Sequence, residues 1–264
     1  MTTPHEGADP DSPEGRGGAA AAIPAAPPGG GRGALDRRRV LGAAIAFIDQ
    51  EGLNALTMRR LGAYLGVEAM ALYRYVPGRE NLLDGVVESV IDELYGDPDV
   101  HLSASHGWQD YLQRLAHGVR RIALAHPEVF PLVASRPPAA PWVRPPLRSL
   151  RWVESFLTAL IDSGFTEEAA VAAYRAYSSF LLGHLLLEVS QKGVKISPED
   201  QPEGVPATAA ATDLSEYPTV VRLESLLSLD ESAAEFEEAL ENLLERLEIV
   251  LAEGRTPRRG DRRR

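Results

Sequence analysis

Residues 55–83 read ALTMRRLGAYLGVEAMALYRYVPGRENLL, and the periodicity of this stretch decides the fold. Thr57 offers a capping hydroxyl, after which Met58, Leu61 and Leu65 recur at helical spacing. Leu65-Gly66-Val67 interrupts the pattern, with glycine where a tight turn needs it. Glu68–Tyr75 restarts the pattern for about two turns, and Pro77-Gly78 stops it. Upstream, Asp36 caps a helix carrying Val40, Leu41, Ala44, Ile45, Phe47 and Ile48, which ends near Glu51-Gly52. Downstream, Arg79–Tyr95 is a long amphipathic helix with Leu82, Leu83, Val86, Val87, Val90, Ile91 and Leu94 on one side. The second and third helices are joined by a short turn around Gly66, which is the helix-turn-helix layout. One helix braces against a duplex backbone and the next enters the major groove.

The third helix is too short to be an efficient core element, and it displays Met70, Tyr73, Arg74 and Tyr75. Leu61 and Leu72 are core candidates. An aromatic ring can touch a thymine methyl or bind phosphate through its hydroxyl, and an arginine can fork onto guanine. Two readings stand for Tyr73 and Tyr75, core packing or DNA contact, with at least one expected on DNA. Arg37, Arg38 and Arg39 read equally as a phosphate-facing cluster and as an ordinary solvated face.

Charge is unevenly distributed. The 264-residue chain carries a net −11, which taken alone argues against nucleic acid. Residues 36–79, however, hold seven arginines against four acids, whereas residues 222–253 hold ten acids against Arg222 and Arg246. Only the docked surface meets phosphates, so a local basic face is compatible with DNA on an acidic chain.

Helical period continues to the end, and the expected class is all-α. Trp108–Ala125, Leu147–Asp162, Thr166–Gln191, Pro218–Leu229 and Glu231–Ala252 read as helices, with Pro127–Ala134 a short helix or turn. Gly96–Ser105 reads as a joint, the five prolines of Arg136–Pro146 impose irregular structure, and Val194–Ser215 reads as a mobile loop. Residues 1–33, with eight glycines, six prolines and no aromatic, form an expected disordered tail. The expected organisation is therefore a tail at 1–33, a helix-turn-helix domain at 34–95, a larger helical domain at 96–253 and a basic tail at 254–264.

Several function classes are excluded. There is no cysteine, which removes disulfides, thiolate metal sites and cysteine nucleophiles. No apolar run approaches the roughly 18 residues of a membrane span, and no secretory signal pattern opens the chain, so a cytoplasmic protein is expected. No H-E-x-x-H, G-x-S-x-G or Walker loop is present and the histidines lack metal-ligand spacing. No enzyme activity, cofactor or metal is expected.

The runs Ala55–Val67, Ala71–Val76 and Arg79–Asp84 closely resemble the DNA-binding domain of the TetR family of transcriptional regulators. Trp108-Gln109-Asp110, Ala125-His126-Pro127, Ser135-Arg136-Pro137, Gly164-Phe165, Gly183-His184 and Phe236-Glu237 more loosely resemble the ligand-binding domain of its tetracycline-repressor branch. The resemblance implies that Thr57 and Arg59 of the bracing helix meet phosphate or base. It implies a recognition helix of Ala69, Met70, Ala71, Tyr73, Arg74 and Tyr75, with Arg79 holding backbone phosphate. The tetracycline repressor carries Gln-Pro-Thr in place of Ala69-Met70-Ala71 and Trp-His in place of Arg74-Tyr75, which implies a different operator. Near the histidines that repressor uses for a magnesium chelate this chain has Tyr95 and Leu132-Val133, so magnesium is not expected.

By the same resemblance the chain is expected to form a homodimer on a palindromic operator, pairing helices 166–191 and 231–252 through their apolar stripes. A small-molecule effector is expected among His117, Arg121, Trp152, Phe156, Tyr174, Tyr177 and His184, the polar and aromatic residues of the middle helices. Three functions stand open on the sequence: a repressor released by an effector, a DNA-binding regulator without one (an activator, or one controlled by a partner), and a helical adaptor.

Overall fold

The computed structural model describes residues 34–96, 100, 106–136, 140, 142–143, 149–194 and 214–255. The tail expected at 1–33, residues 256–264 of the tail expected at 254–264 and most of the loop at 194–215 lie outside the described residues; residues 254 and 255 of that second tail belong to the last helix. So do much of the 96–105 joint and of the proline-rich stretch at 136–146. Among the described residues the chain forms ten α-helices and no strand, and no helix is long and apolar enough to cross a membrane.

The first helices follow their caps. Helix α1 (Arg37–Glu51) starts where Asp36 Oδ1 accepts the Arg39 amide at 2.7 Å. Helix α2 (Met58–Leu65) starts where Thr57 Oγ1 accepts the Arg60 amide at 3.2 Å. It ends at Gly66, whose φ of 70° is left-handed backbone that glycine adopts without strain. Helix α3 (Ala69–Leu72) is shorter than its sequence period suggests. Tyr75 N donates to Leu72 O at 2.9 Å and Val76 N to the same oxygen at 3.0 Å, so the chain tightens into a turn. Pro77 follows, and the residue before a proline is driven out of the helical region. Helix α4 (Arg79–Gly96) lies across α1. A Cβ at Gly85 would fall 2.7 Å from Leu41 Cδ2, so the two helices approach as closely as they do because position 85 has no side chain.

The remaining helices are α5 (Trp108–Ala125), α6 (Phe130–Ser135), α7 (Leu150–Asp162), α8 (Glu167–Gln191), α9 (Pro218–Leu227) and α10 (Ser232–Arg255). Helices α6, α7 and α10 pack against α8, which also meets α5, whereas α9 buries none of its residues. Phe156 of α7 stands with its ring centroid 5.6 Å from that of Tyr174 and 5.2 Å from that of Tyr177. Tyr177 is fully buried, and its hydroxyl donates to Leu112 O at 2.7 Å, which satisfies a polar group that would otherwise be costly to bury.

Helix α10 departs from expectation. Its apolar stripe of Phe236, Leu240, Leu244, Leu247 and Leu251 is buried within this chain, largely against α8. That stripe is therefore not available to a second copy. What α10 leaves outward is acid-rich, with Ile249 the large apolar exception. Besides Glu167, Glu168, Arg175 and Gln191, helix α8 leaves outward Val171, Ala172, Ala176, Ser179, Gly183 and Leu187, a row dominated by small side chains.

Candidate nucleic-acid interface and effector cavity

The turn between α2 and α3 depends on a residue whose role the sequence reading did not assign. A Cβ at Gly62 would lie 2.9 Å from Val67 O and 3.1 Å from Ala69 N, so only glycine lets the two helices meet at this distance. Leu61 and Leu72 are fully buried beneath them. This packing turns the other side of α3 outward. Met70 is 78% exposed and Tyr73 44%. Ala71 and Arg74 are exposed, and Ala69 and Tyr75 half-buried. Tyr75 packs against the core and Tyr73 does not, so the two readings divide between the two residues.

The arginines of this region divide in the same way. Arg59 and Arg74 are exposed and form no ion pair among the described residues. Arg60, beside Arg59, is a brace. Its guanidinium donates to Ala55 O at 3.2 Å and Glu51 Oε2 at 3.0 Å, and stands 5.1 Å above the Phe47 ring. Arg79 donates Nε to Leu56 O at 3.3 Å, which fixes the guanidinium beside the start of α2, and its Nη1 stands 4.0 Å from Glu80 Oε1, whose side chain is largely exposed. Thr57 uses its oxygen to cap α2, and its hydroxyl hydrogen remains free to donate to phosphate.

A cavity of about 30 Å³ lies in the body of the molecule. Its wall is made by Val90, Ile91 and Leu94 of α4, Val119 and Ile122 of α5, Phe130 and Val133 of α6, Ser149 and Trp152 at the start of α7, and Ser178, Leu181 and Leu182 of α8. Of the seven expected effector residues, this wall includes only Trp152. Phe156, Tyr174 and Tyr177 form the packed aromatic layer described above. His117 and His184 gather around Phe236, with ring centroids 6.0 and 5.3 Å from it. His117 also lies 3.6 Å from Glu237, and His184 Nε2 donates to Ser232 O at 3.2 Å. Arg121 is on the exposed side of α5. The isolated polar residues of the middle helices are thus mostly used for helix packing, because a buried polar group needs a partner and finds one locally.

Two ties join the wall of this cavity to the first helices. His126, just after α5, donates Nδ1 to Asp49 Oδ2 of α1 at 2.7 Å and stands 3.4 Å from Glu93 Oε2 of α4. The hydrogen bond to Asp49 raises its pKa above the ordinary histidine value. Arg136, at the end of α6, donates Nε to Asp84 Oδ1 at 2.7 Å and Nη2 to Glu80 Oε2 at 2.8 Å, both on α4. A third pair is internal to the larger part of the chain. Arg120 clamps Glu188, which is only 3% exposed, at 2.6 and 3.0 Å. Sequence alone singled out the Ala-His-Pro and Ser-Arg-Pro triplets without assigning these pairings, because the acids they meet are far away along the chain.

An exposed one-turn helix, followed by an exposed tyrosine and arginine and held out by a glycine-dependent turn, defines a helix-turn-helix protein of the DNA-reading class. Comparison with known proteins gives the family. The tetracyclin repressor-like C-terminal domain matches residues 103–251, and the tetR family of bacterial regulatory proteins matches residues 40–86. The chain belongs to the TetR family of transcriptional regulators. It is 27% identical over 237 residues to the HTH-type transcriptional repressor DrrR1 of Streptomyces coeruleorubidus, covering 87% of this chain and 83% of that one. Its fold is similar to a possible TetR family regulator from Streptomyces coelicolor A3(2), with a TM-score of 0.63 and 28% identity, over 81% of this chain and 100% of the other. It is also similar to the TetR family protein ActR of Streptomyces coelicolor, whose structure was solved in complex with (S)-DNPA, with a TM-score of 0.58, 25% identity, and 84% and 100% coverage.

Proposed function

We propose that this protein is a transcriptional repressor that binds a palindromic operator as a homodimer and leaves it when a small molecule enters the cavity. On this reading residues 34–95 are the DNA-reading domain and 96–253 the effector-binding and dimerising domain, working in the cytoplasm beside the chromosome. Met70, Ala71, Tyr73 and Arg74 face base edges, with Ala69 and Tyr75 at the margin. Thr57, Arg59 and Arg79 hold phosphate. A repressor as a relative and a ligand-bound structure of ActR support both halves of the proposal.

One observation carries the coupling. Helix α4 presents Arg79 at one end and three wall residues of the cavity, Val90, Ile91 and Leu94, toward the other. At about 30 Å³ the cavity holds little more than a water or two, and a ligand of ordinary size requires several hundred Å³. Entry of a ligand must therefore move the wall, and α4 is part of it. A single reading head binds one half-site weakly, and two on a dimer span about 34–36 Å. The small-residue row on α8 and the exposed Val220, Val221, Leu226 and Leu227 of α9 are the surfaces a second copy would cover. Moving from mostly bound to mostly released requires about 5.5 kcal/mol of preference for the released state.

The test is a mobility-shift assay on sequences selected from random DNA, followed by a screen for compounds that abolish the shift. Selective, salt-dependent binding of a two-fold symmetric site, lost on adding a compound, is the expected result. No shift at low salt would remove the proposal.

A further inference from the structure

The first helix, the far half of α4 and the start of α6 meet at His126. Its backbone oxygen accepts the amides of Val129 and Phe130 at 3.1 and 2.9 Å. That seats the start of α6, and Phe130 is a wall residue of the cavity. Its imidazole reaches carboxylates on two other elements: Nδ1 lies 2.7 Å from Asp49 Oδ2 on α1, and Nε2 lies 3.4 Å from Glu93 Oε2 on α4. Glu93 stands between Ile91 and Leu94, which also belong to the wall. A neutral imidazole has a single N–H and a bare lone pair on its other nitrogen. Donating to Asp49 then turns the lone pair toward Glu93, where two acceptors face one another. The imidazolium donates to both acids at once, through charge-assisted bonds. Asp49 and Glu93 are the charges that act on the ring. Asp49 Oδ1 is buried without a donor among the described residues, so this carboxylate leans on His126. Of the other charges nearby, Glu128 lies by Gly52, and Arg60 is turned to Glu51 and Ala55. Helix α6 carries no titratable side chain.

We propose that protonated His126 is a latch holding α1 and α4 to the start of α6, and that loss of its proton loosens this arrangement and weakens operator binding. The inference rests on the release mechanism proposed above, in which the wall of the cavity must move for a ligand to enter. A cavity of about 30 Å³ belongs to the ligand-free arrangement, which on that reading is the one that binds operator. The bond to Asp49 raises the His126 pKa, so the proton is held more tightly in the latched arrangement than in one that frees the ring. The latch is therefore complete at low pH and lost as pH rises through the raised value. A rise in pH acts in the same direction as a ligand. The Glu93 side chain is 47% exposed, so the effect has the size of one partly screened ion pair, roughly threefold in affinity.

The test uses the full chain at about pH 6 and about pH 8.5, on either side of a raised histidine pKa. Operator DNA selected from random sequence is titrated by fluorescence anisotropy. On raising the pH the unaltered protein is expected to lose about threefold more affinity than His126→Gln, a comparison that cancels the other histidines. A glutamine amide can donate to the bare Nε2 of a neutral ring, so Glu93→Gln is expected to lose less affinity than the unaltered protein. That substitution is at a half-exposed side chain and carries the test should His126→Gln fail to fold. A second arm contains no DNA. Hydrogen exchange of the α4 amides, corrected for its intrinsic dependence on pH, is expected to speed up as the His126 ring titrates by proton resonance, and to do so less in Glu93→Gln. Operator binding that tightens at high pH, or α4 protection indifferent to the His126 titration, overturns the proposal. A pH loss equal in all three proteins removes the latch and leaves the repressor standing, whereas a chain that binds no operator at either pH removes both.

Discussion

Arg74 and Arg79 carry the same charge and differ in how they are held. Arg74 is free on an exposed turn, while Arg79 is pinned by its Nε to Leu56 O. A free guanidinium over the groove can fork onto guanine, and a pinned one at a helix start serves as a phosphate anchor. Arg74→Ala is expected to lose about 1–3 kcal/mol at one base position and to relax preference there. Arg79→Ala is expected to weaken all sites alike and to lower the salt dependence by about one ion. Competition binding across single-base variants of the selected site separates the two, and identical profiles would cancel the division of roles. His126 yields a prediction in pH. The bond to Asp49 raises its pKa, so the charged form is stabilised by folding. Its contribution is complete below the ordinary histidine value of about 6.5 and is lost as pH rises through the raised native value. Thermal unfolding of the unaltered protein against His126→Gln should show a larger gap at about pH 6 than at about pH 9, and Asp49→Asn should reduce that pH dependence, leaving the part due to Glu93. A gap that widens with rising pH would show that the pairing acts in some other way.

At the scale of elements, Gly62 and the Arg120–Glu188 pair decide how helices meet. A methyl at position 62 meets backbone, not a flexible side-chain tip, so Gly62→Ala must force α2 and α3 apart. A loss of about 1–3 kcal/mol together with loss of operator binding is expected from denaturant unfolding and mobility shift. Gly183→Ala has open space around its Cβ and should leave the fold of the chain intact. The Arg120–Glu188 pair is lopsided, with side chains 21% and 2% exposed. Arg120→Ala strands a buried carboxylate and is expected to lose about 3–5 kcal/mol. Glu188→Ala leaves an arginine that can still reach water and is expected to lose less. Equal losses in urea unfolding would deny that burial sets the difference. These cases also mark what the sequence makes legible. Caps at Asp36, Thr57 and Thr166, whose Oγ1 accepts the Ala169 amide at 3.2 Å at the start of α8, act within a few residues, so the helix starts could be read directly. Gly62, the Arg120–Glu188 clamp and the consumption of α10's stripe within the chain depend on partners distant in sequence. Periodicity tells which face of α10 is apolar but not whether α8 of the same chain or another copy covers it. The exposed residues of α3 were legible because a helix of one turn has few places to hide a side chain. The cavity wall was not, because it is built from ordinary leucines, valines and isoleucines on five helices, and the polar residues that stood out had found partners elsewhere.

At the scale of the molecule, the reading head and the cavity share α4, and Arg136 holds the head end of that helix to the end of α6. Asp84 and Glu80, its partners, lie within the first turns of α4, beside Arg79. Phe130 and Val133 of α6 belong to the cavity wall. A ligand that displaces α6 therefore pulls on α4 through Arg136, as well as pressing on it directly through Val90, Ile91 and Leu94. Such coupling is a free energy shared by two sites, so it must be reciprocal: the factor by which a ligand weakens operator binding equals the factor by which operator weakens ligand binding. Arg136→Ala removes one of the two routes. Once a releasing compound is in hand, operator affinity with and without it, and affinity for it with and without operator, are measured by fluorescence titration. Both factors are expected to shrink together in Arg136→Ala, by roughly fivefold if this route carries about 1 kcal/mol of a coupling that is typically about 1–3 kcal/mol. Affinity for the compound on the free protein should be nearly unchanged, because Arg136 is not part of the wall. An unchanged pair of factors would assign the whole of the coupling to direct contact with α4, and a change in one factor alone would mean that the compound and the operator are not acting on the same equilibrium.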